Sequence, residues 1–177
     1  MINVMDAAAV IAEFAARPVD AVRAFPELTG EQLNAHPGGH PNSIAWLLWH
    51  SGRQVDSQLA ELTGDKQLWF RGGFKERFGL GPAGDHDGIG HSEQQARAIV
   101  VEDWALLCDY LEATLQAVVE YWRSLSEAEL AEIIDVSYTP HVSRGVRLVS
   151  LIDDCQQHVG TANHIAGALL GAPAGIF

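Results

Sequence analysis

The sequence predicts an all-α protein, an antiparallel four-helix bundle with a long loop and short helices between its second and third long helices. Three observations lead to this prediction. Apolar residues recur at spacings of three and four along four separate stretches. Capping residues and segments rich in glycine or proline divide these stretches. Only residues 133–138 hint at a β-strand. Four long helices in one domain bury their apolar faces against one another, and a ligand site then lies between facing helices.

The first two long helices are predicted from helix propensity and from capping. Residues 4–16 favour a helix, and Pro18 is expected to kink or divide it. The second long helix is predicted to begin with Asn42 or Ser43 as its N-cap and to stop near Gly64. Its first half is apolar nearly all the way round, which predicts that this half is buried.

The other elements follow in chain order. Residues 65–91 form a long irregular segment, and such segments are usually functional or mobile. Its aromatic residues predict that it packs down, either as a lid or as an interface: Trp69, Phe70, Phe74 and Phe78. Ser92 with Gln95 resembles a capping box that opens a short helix. Residues 101–124 are predicted to be the third long helix, and the fourth is predicted to begin near Ser143.

The composition fits a single domain over residues 1–177 and argues against several classes of protein. Apolar residues make up 47% of the chain, enough for a sizeable core, and the net charge of −12 argues against a nucleic-acid or acidic-membrane binder. No apolar run reaches transmembrane length and the N-terminus has no basic region, so we expect a cytoplasmic protein. Cys108 and Cys155 lie in apolar helical patterns and are predicted to be buried thiols rather than a disulfide or a nucleophile.

The fourth helix carries a carboxylate and an imidazole on one face. Asp154 and His158 are four residues apart, so both project from the same side, one turn apart. They lie between Leu151 and Ile165, and a carboxylate among apolar groups is costly unless a cation or hydrogen bonds compensate it. A metal ion would meet that need, and so would a buried ion pair. Asp153 lies on the opposite, polar side and is predicted to be a surface residue.

The natural third ligand is His50, at the end of the apolar half of the second helix. A lone histidine in such a place is more often a hydrogen-bonded core residue, but Asp154 and His158 make the ligand hypothesis the stronger one. Two imidazoles and a carboxylate leave open coordination positions and suit zinc, nickel, iron or manganese.

Further residues are candidates for substrate binding. Arg147 and Thr161 share the stripe of Asp154 and His158, and Arg147 is expected either to bind a carboxylate or to form a salt bridge. His91 ends a run, residues 85–91, that lacks the ligand spacing and terminal glutamate of a calcium loop. Three of the eleven basic residues lie close together in the long segment: Arg71, Lys75 and Arg77. These three are either ordinary solvated charges or a patch that receives an anionic small molecule.

Three stretches together resemble the DinB-like superfamily, the DNA-damage-inducible helical family that includes mycothiol-dependent maleylpyruvate isomerase and related thiol transferases. They are residues 42–50, 88–91 and 145–160, and the resemblance covers nearly the whole chain. It implies a four-helix bundle, often dimeric, with a divalent metal held by His50, Asp154 and His158. Many members have histidine where this chain has Asp154, and many have glutamine or histidine in place of Thr161.

The resemblance also implies a reaction. The metal would bind and activate the sulfur of a low-molecular-weight thiol such as mycothiol or bacillithiol, and the thiolate would attack a small-molecule electrophile between the helices. Two alternatives stay open. In the first, the same metal supports hydrolysis, assisted by Asp85, Asp87 or His91. In the second, the protein is a stress-related binding or dimerisation module whose metal is structural or absent.

Overall fold

Four long α-helices carry the core of the chain in the computed structural model, which describes residues 6–26 and 28–171, the side chains of residues 168 and 169 excepted. The long helices are α1 (Ala7–Arg23), α3 (Ile44–Thr63), α7 (Trp104–Ser124) and α9 (Arg144–His164). Between them lie five short ones: α2 (Gly30–Leu33), α4 (Leu68–Arg71), α5 (Phe74–Phe78), α6 (Glu93–Arg97) and α8 (Glu127–Ala131). The predicted all-α class is confirmed. The predicted start of α1 at residues 4 and 5 lies outside the described residues.

The long helices pack on one another in a closed set of contacts. Helix α1 packs on α7 and α9, and helix α3 packs on the same two helices. The core between them is built from aliphatic and aromatic side chains that are almost completely buried, including Trp49, Leu111, Leu148 and Ile152. This packing brings the middle of α3 against α9, the two helices that carry the candidate ligands.

Local signals set the ends of these helices. Ser43 caps α3 through its hydroxyl, which accepts a hydrogen bond from the backbone N–H of Trp46, and the helix ends at Gly64 with a φ of 77°. Ser143 caps α9 in the same way. The predicted starts of both helices are therefore confirmed. Helix α1 is not divided at Pro18, because the buried proline side chain packs into the core and offsets the lost hydrogen bond.

Helix α3 is buried over residues 44–56, further than its apolar half. The apolar half is buried as predicted. Three polar side chains beyond it are buried as well: Arg53, Gln54 and Asp56. Charged side chains are almost never fully buried unless they are paired, so these groups need partners from other parts of the fold.

The segment between α3 and α7 supplies most of the partners of Arg53 and Asp56, whereas Gln54 donates to the backbone of α9. The segment contains α4, α5 and a 3₁₀ turn (Gly81–Asp85), and it packs down as predicted. The rings of Trp69, Phe74 and Phe78 lie 4.6–5.6 Å from the ring of Tyr110 on α7. Phe70 remains exposed. The glycine-rich end of the segment, residues 85–91, reaches His50 and its neighbours.

A small hairpin precedes α9. Strand β1 (Ile133–Asp135) pairs antiparallel with β2 (Val142–Ser143), and the link between them carries Tyr138. A π-helical turn (Ile165–Leu169) continues α9. Within the described ranges, none of the helices is both long enough and apolar enough to cross a membrane.

Candidate metal centre

The packing of α3 against α9 brings three candidate ligands together. His50 comes from α3, and Asp154 and His158 come from adjacent turns of α9. One ligand atom from each lies within 4.8 Å of the other two. The His158 Nε2 to Asp154 Oδ2 distance is 3.4 Å, and the two imidazole rings are 4.9 Å apart between centroids. These are the residues that the sequence predicted as a set.

The orientation of His50 is fixed by contacts on two sides. Its Nδ1 lies 2.5 Å from the backbone carbonyl oxygen of Asp87, and because a carbonyl can only accept, Nδ1 carries the proton. Nε2 therefore keeps its lone pair, the form in which histidine binds a metal. The indole of Trp46 stacks on the ring at a centroid distance of 4.6 Å. This arrangement is typical of a metal-ligating histidine.

Gly88 allows the Asp87 carbonyl to come this close. Its φ is +96°, a conformation that side chains disfavour. A Cβ at this position would lie 2.6 Å from His50 Nδ1 and 3.1 Å from the ring of Trp49. A glycine is thus needed here for both backbone conformation and space.

The protonation states of His50 and Asp154 both suit a metal ligand. Burial lowers the pKa of His50 below its ordinary value, although its hydrogen bond to Asp87 acts in the opposite direction, so the ring is neutral near pH 7. The hydrogen bond from His158 lowers the pKa of Asp154, and partial burial opposes this effect. Asp154 is 43% exposed, more than its apolar neighbours on the helix suggested, so water relieves part of the expected cost of its charge.

A cleft of about 540 Å³ lies beside the three residues. His50 and Asp154 both line it. The remaining lining combines amide, hydroxyl and apolar groups with one arginine: Gln54, Gln58, Ile89, Tyr138, Val142, Arg147, Ser150 and Leu151. His158 lines a second cavity, of about 360 Å³, together with Thr161 and Ile165. The ligand set therefore has open space on two sides.

The other predicted substrate-binding residues are distributed differently. Arg147 lines the cleft, and its guanidinium donates to Asp135 over 2.8 Å, so the salt-bridge alternative is realised. Thr161 lines the second cavity, and its hydroxyl donates to the carbonyl of Gln157. His91 lies outside the three-residue group, with its Nδ1 accepting a hydrogen bond from the indole N–H of Trp46 over 3.3 Å.

The structure does not bring the three clustered basic residues to the cleft. Lys75 donates to Asp85 over 2.6 Å, and Arg77 to Asp109 over 3.1 Å. Arg71 donates to the backbone carbonyl of Lys66. Each of the three therefore has a partner outside the cleft.

Gln54 and Gln58 both line the cleft, although neither was predicted as a site residue from the sequence. A signal for them was present, since residues 50, 54 and 58 follow one another at spacings of four and share one face of α3. Tyr138 also lines the cleft from the link after β1, and no local pattern places a loop residue there.

Comparisons with known proteins identify the family of the chain. The model of the DinB superfamily matches residues 13–162. A solved structure described as a conserved protein of locus from Enterococcus faecalis is 30% identical and has a TM-score of 0.84, over 94% of this chain and 99% of that one. No curated protein matches the chain. On the strength of the family match and of this shared fold, the chain belongs to the DinB superfamily.

Proposed function

We propose that this protein is a metal-dependent enzyme in which His50, Asp154 and His158 hold a divalent metal ion and a low-molecular-weight thiol reacts in the adjacent cleft. The observation that carries the proposal is the placement of three ligand atoms within 4.8 Å of one another at the wall of a cleft large enough for a small molecule. We also infer an antiparallel four-helix bundle from the closed set of helix contacts, and a homodimer from family membership.

The three residues fit a divalent metal by their chemistry. They offer two imidazole nitrogens and one carboxylate, the ligand types of zinc, nickel, iron and manganese sites. When bound, such a metal would lower the pKa of a thiol and hold it as the thiolate. His50 is held in place by a backbone carbonyl, as a ligating histidine usually is.

The cleft residues then have separate tasks. Amide and hydroxyl groups of Gln58, Ser150 and Tyr138 can hydrogen-bond to the polar parts of the thiol or its partner. The guanidinium of Arg147 is paired with the carboxylate of Asp135, so the cleft is lined by a neutralised ion pair rather than by a free cation. This lining supports a small, polar substrate better than a highly anionic one.

Hydrolysis receives less support from the structure. It was expected to use Asp85, Asp87 or His91 as an assisting group, and none of these three lines the cleft. The carboxylate of Asp85 accepts hydrogen bonds from the indole of Trp69 and from Lys75. The carboxylate of Asp87 accepts one from the backbone N–H of Ile89. A general base must reach the proton that it removes, so thiol transfer is the better supported reaction.

Elemental analysis of the purified protein tests the metal site. Wild type and Asp153→Ala are expected to carry about one metal ion per chain, because Asp153 is exposed on the other side of α9. His158→Ala is expected to carry almost none, because two remaining ligands hold a divalent ion weakly. Thiol binding should then require the metal-loaded protein. If wild type stays empty after reconstitution with zinc, nickel and manganese, the metalloenzyme proposal is wrong, and the three residues are a polar group in a binding module.

A further inference from the structure

Arg53 is the most deeply buried charge among the described residues, with 1% of its surface exposed. It lies on α3, three residues after His50. Asp56 Oδ2 is 3.6 Å away, Tyr110 accepts a hydrogen bond from Nη1, and the indole of Trp69 lies 4.7 Å from the guanidinium carbon. These contacts explain how the charge is tolerated. They do not explain why an arginine, rather than an apolar residue, occupies the position.

The rest of the guanidinium holds the backbone next to the candidate metal centre. Nη2 donates to the carbonyl of Asp85 over 3.0 Å, and Nε donates to the carbonyl of His86 over 3.3 Å. The next carbonyl along the chain is that of Asp87, which accepts from His50. Three consecutive carbonyls are therefore held by two side chains of α3.

We propose that Arg53 is a positioning residue for the metal ligand His50, acting through the backbone of residues 85–87. The planar guanidinium fork spans two carbonyls at a fixed separation, which an ammonium group cannot reproduce. It thereby fixes the third carbonyl at the distance at which it accepts from His50 Nδ1, and so sets the tautomer and orientation of the ring. The inference rests on the proposed metal site.

The same network offers a matched control. Tyr110 donates to Asp56 and accepts from Arg53, but it does not contact the backbone of residues 85–87 in any hydrogen bond of the described structure. Tyr110→Phe therefore removes two buried hydrogen bonds from the network and leaves the carbonyls held. It should lower thermal stability without affecting His50.

The experiment combines two measurements on wild type, Arg53→Lys, Arg53→Gln and Tyr110→Phe. Zn²⁺ affinity is measured by competition with a chromophoric chelator, and the ¹⁵N NMR signals of His50 in the metal-free protein report which ring nitrogen is protonated. Loss of an outer partner of a ligand typically lowers metal affinity about 10–100-fold, and we expect about tenfold for Arg53→Lys. In Arg53→Lys, the His50 ring should also change from a single tautomer, protonated at Nδ1, to a mixture of the two tautomers. Arg53→Gln, which leaves no buried cation, provides the same comparison should the lysine variant fail to fold.

The outcomes separate this inference from the proposed function. Tyr110→Phe should keep the wild-type Zn²⁺ affinity and His50 signals. Wild-type affinity and an unchanged His50 tautomer in a folded Arg53 variant would overturn the inference while the metal site stands. If wild type binds no Zn²⁺, the proposed function fails, and the NMR comparison alone then decides whether Arg53 positions His50.

Discussion

Replacing Gly88 by alanine should weaken metal binding, because the new methyl group would be forced against the ring of His50. The added Cβ would lie 2.6 Å from His50 Nδ1, and ordinary van der Waals contact begins at 3.4 Å. The backbone or the ring must therefore retreat by about 0.8 Å. Added to the present 2.5 Å between Nδ1 and the Asp87 oxygen, this displacement gives up to about 3.3 Å, so the hydrogen bond is lengthened and weakened.

Two effects of this substitution have different sizes and different readouts. The positive φ of residue 88 costs an alanine about 1–2 kcal/mol of folding free energy, or roughly 2–8 °C in Tm for a chain of this length. Weakening of the His50 hydrogen bond should lower metal affinity by about tenfold, the lower end of the range for loss of an outer partner. Urea unfolding of the metal-free protein measures the first effect, and Zn²⁺ competition titration measures the second.

Gly90 provides the control for this prediction. Its φ is +72°, and a Cβ there would meet no atom within 4 Å. Gly90→Ala should therefore show the loss of stability but keep the wild-type Zn²⁺ affinity. Equal Zn²⁺ affinities for the two alanine variants would refute the reasoning, because the close approach to His50 would then have no consequence for the ligand.

Three further predictions concern stability and reactivity. Burial raises the pKa of Cys108 to about 11 and raises that of Cys155 as well, so iodoacetamide at pH 8 should label neither thiol in the folded protein and both in urea; labelling of the native protein would contradict this. The pKa of His50 is lower in the folded than in the unfolded chain, so the unfolded chain binds more protons below pH 6.5. The free energy of unfolding of the metal-free protein should thus fall as pH drops through that value, and less so in His50→Gln; equal pH profiles would count against it. In Gly52→Ala, a Cβ 2.6 Å from the ring of Tyr110 should cost about 1–3 kcal/mol in urea unfolding, and an unchanged midpoint would show that the ring moves away freely.

The sequence was sufficient where the signal is local. Ser43 and Gly64 mark the two ends of α3 because both are capping residues. The i, i+4 spacing of Asp154 and His158 placed both side chains on one face of α9. His50 was chosen because a polar residue ended an apolar stretch, and the structure places it with the other two. The capping and spacing inferences need only the local sequence of one helix, whereas the choice of His50 also used the two residues on α9.

The sequence was insufficient where burial depends on distant segments. Arg53 and Asp56 are charged residues in mid-helix, which usually face water, and their burial becomes visible only once the segment after α3 packs on them. Lys75 and Arg77 looked like a basic patch because their acidic partners, Asp85 and Asp109, are ten and thirty-two residues further along the chain. Pairing across such separations leaves no periodic trace in the sequence.

The division of the ligand set between two helices has a consequence for folding. Asp154 and His158 approach each other as soon as α9 becomes helical, whereas His50 joins them only when α3 docks, 104 residues away in sequence from Asp154. A metal ion bound early would thus be held by Asp154 and His158 alone. It would gain His50 as its third ligand when α3 docks on α9. Because a ligand that prefers the native state stabilises it by mass action, metal added during refolding should favour the docked form over its partly assembled precursors.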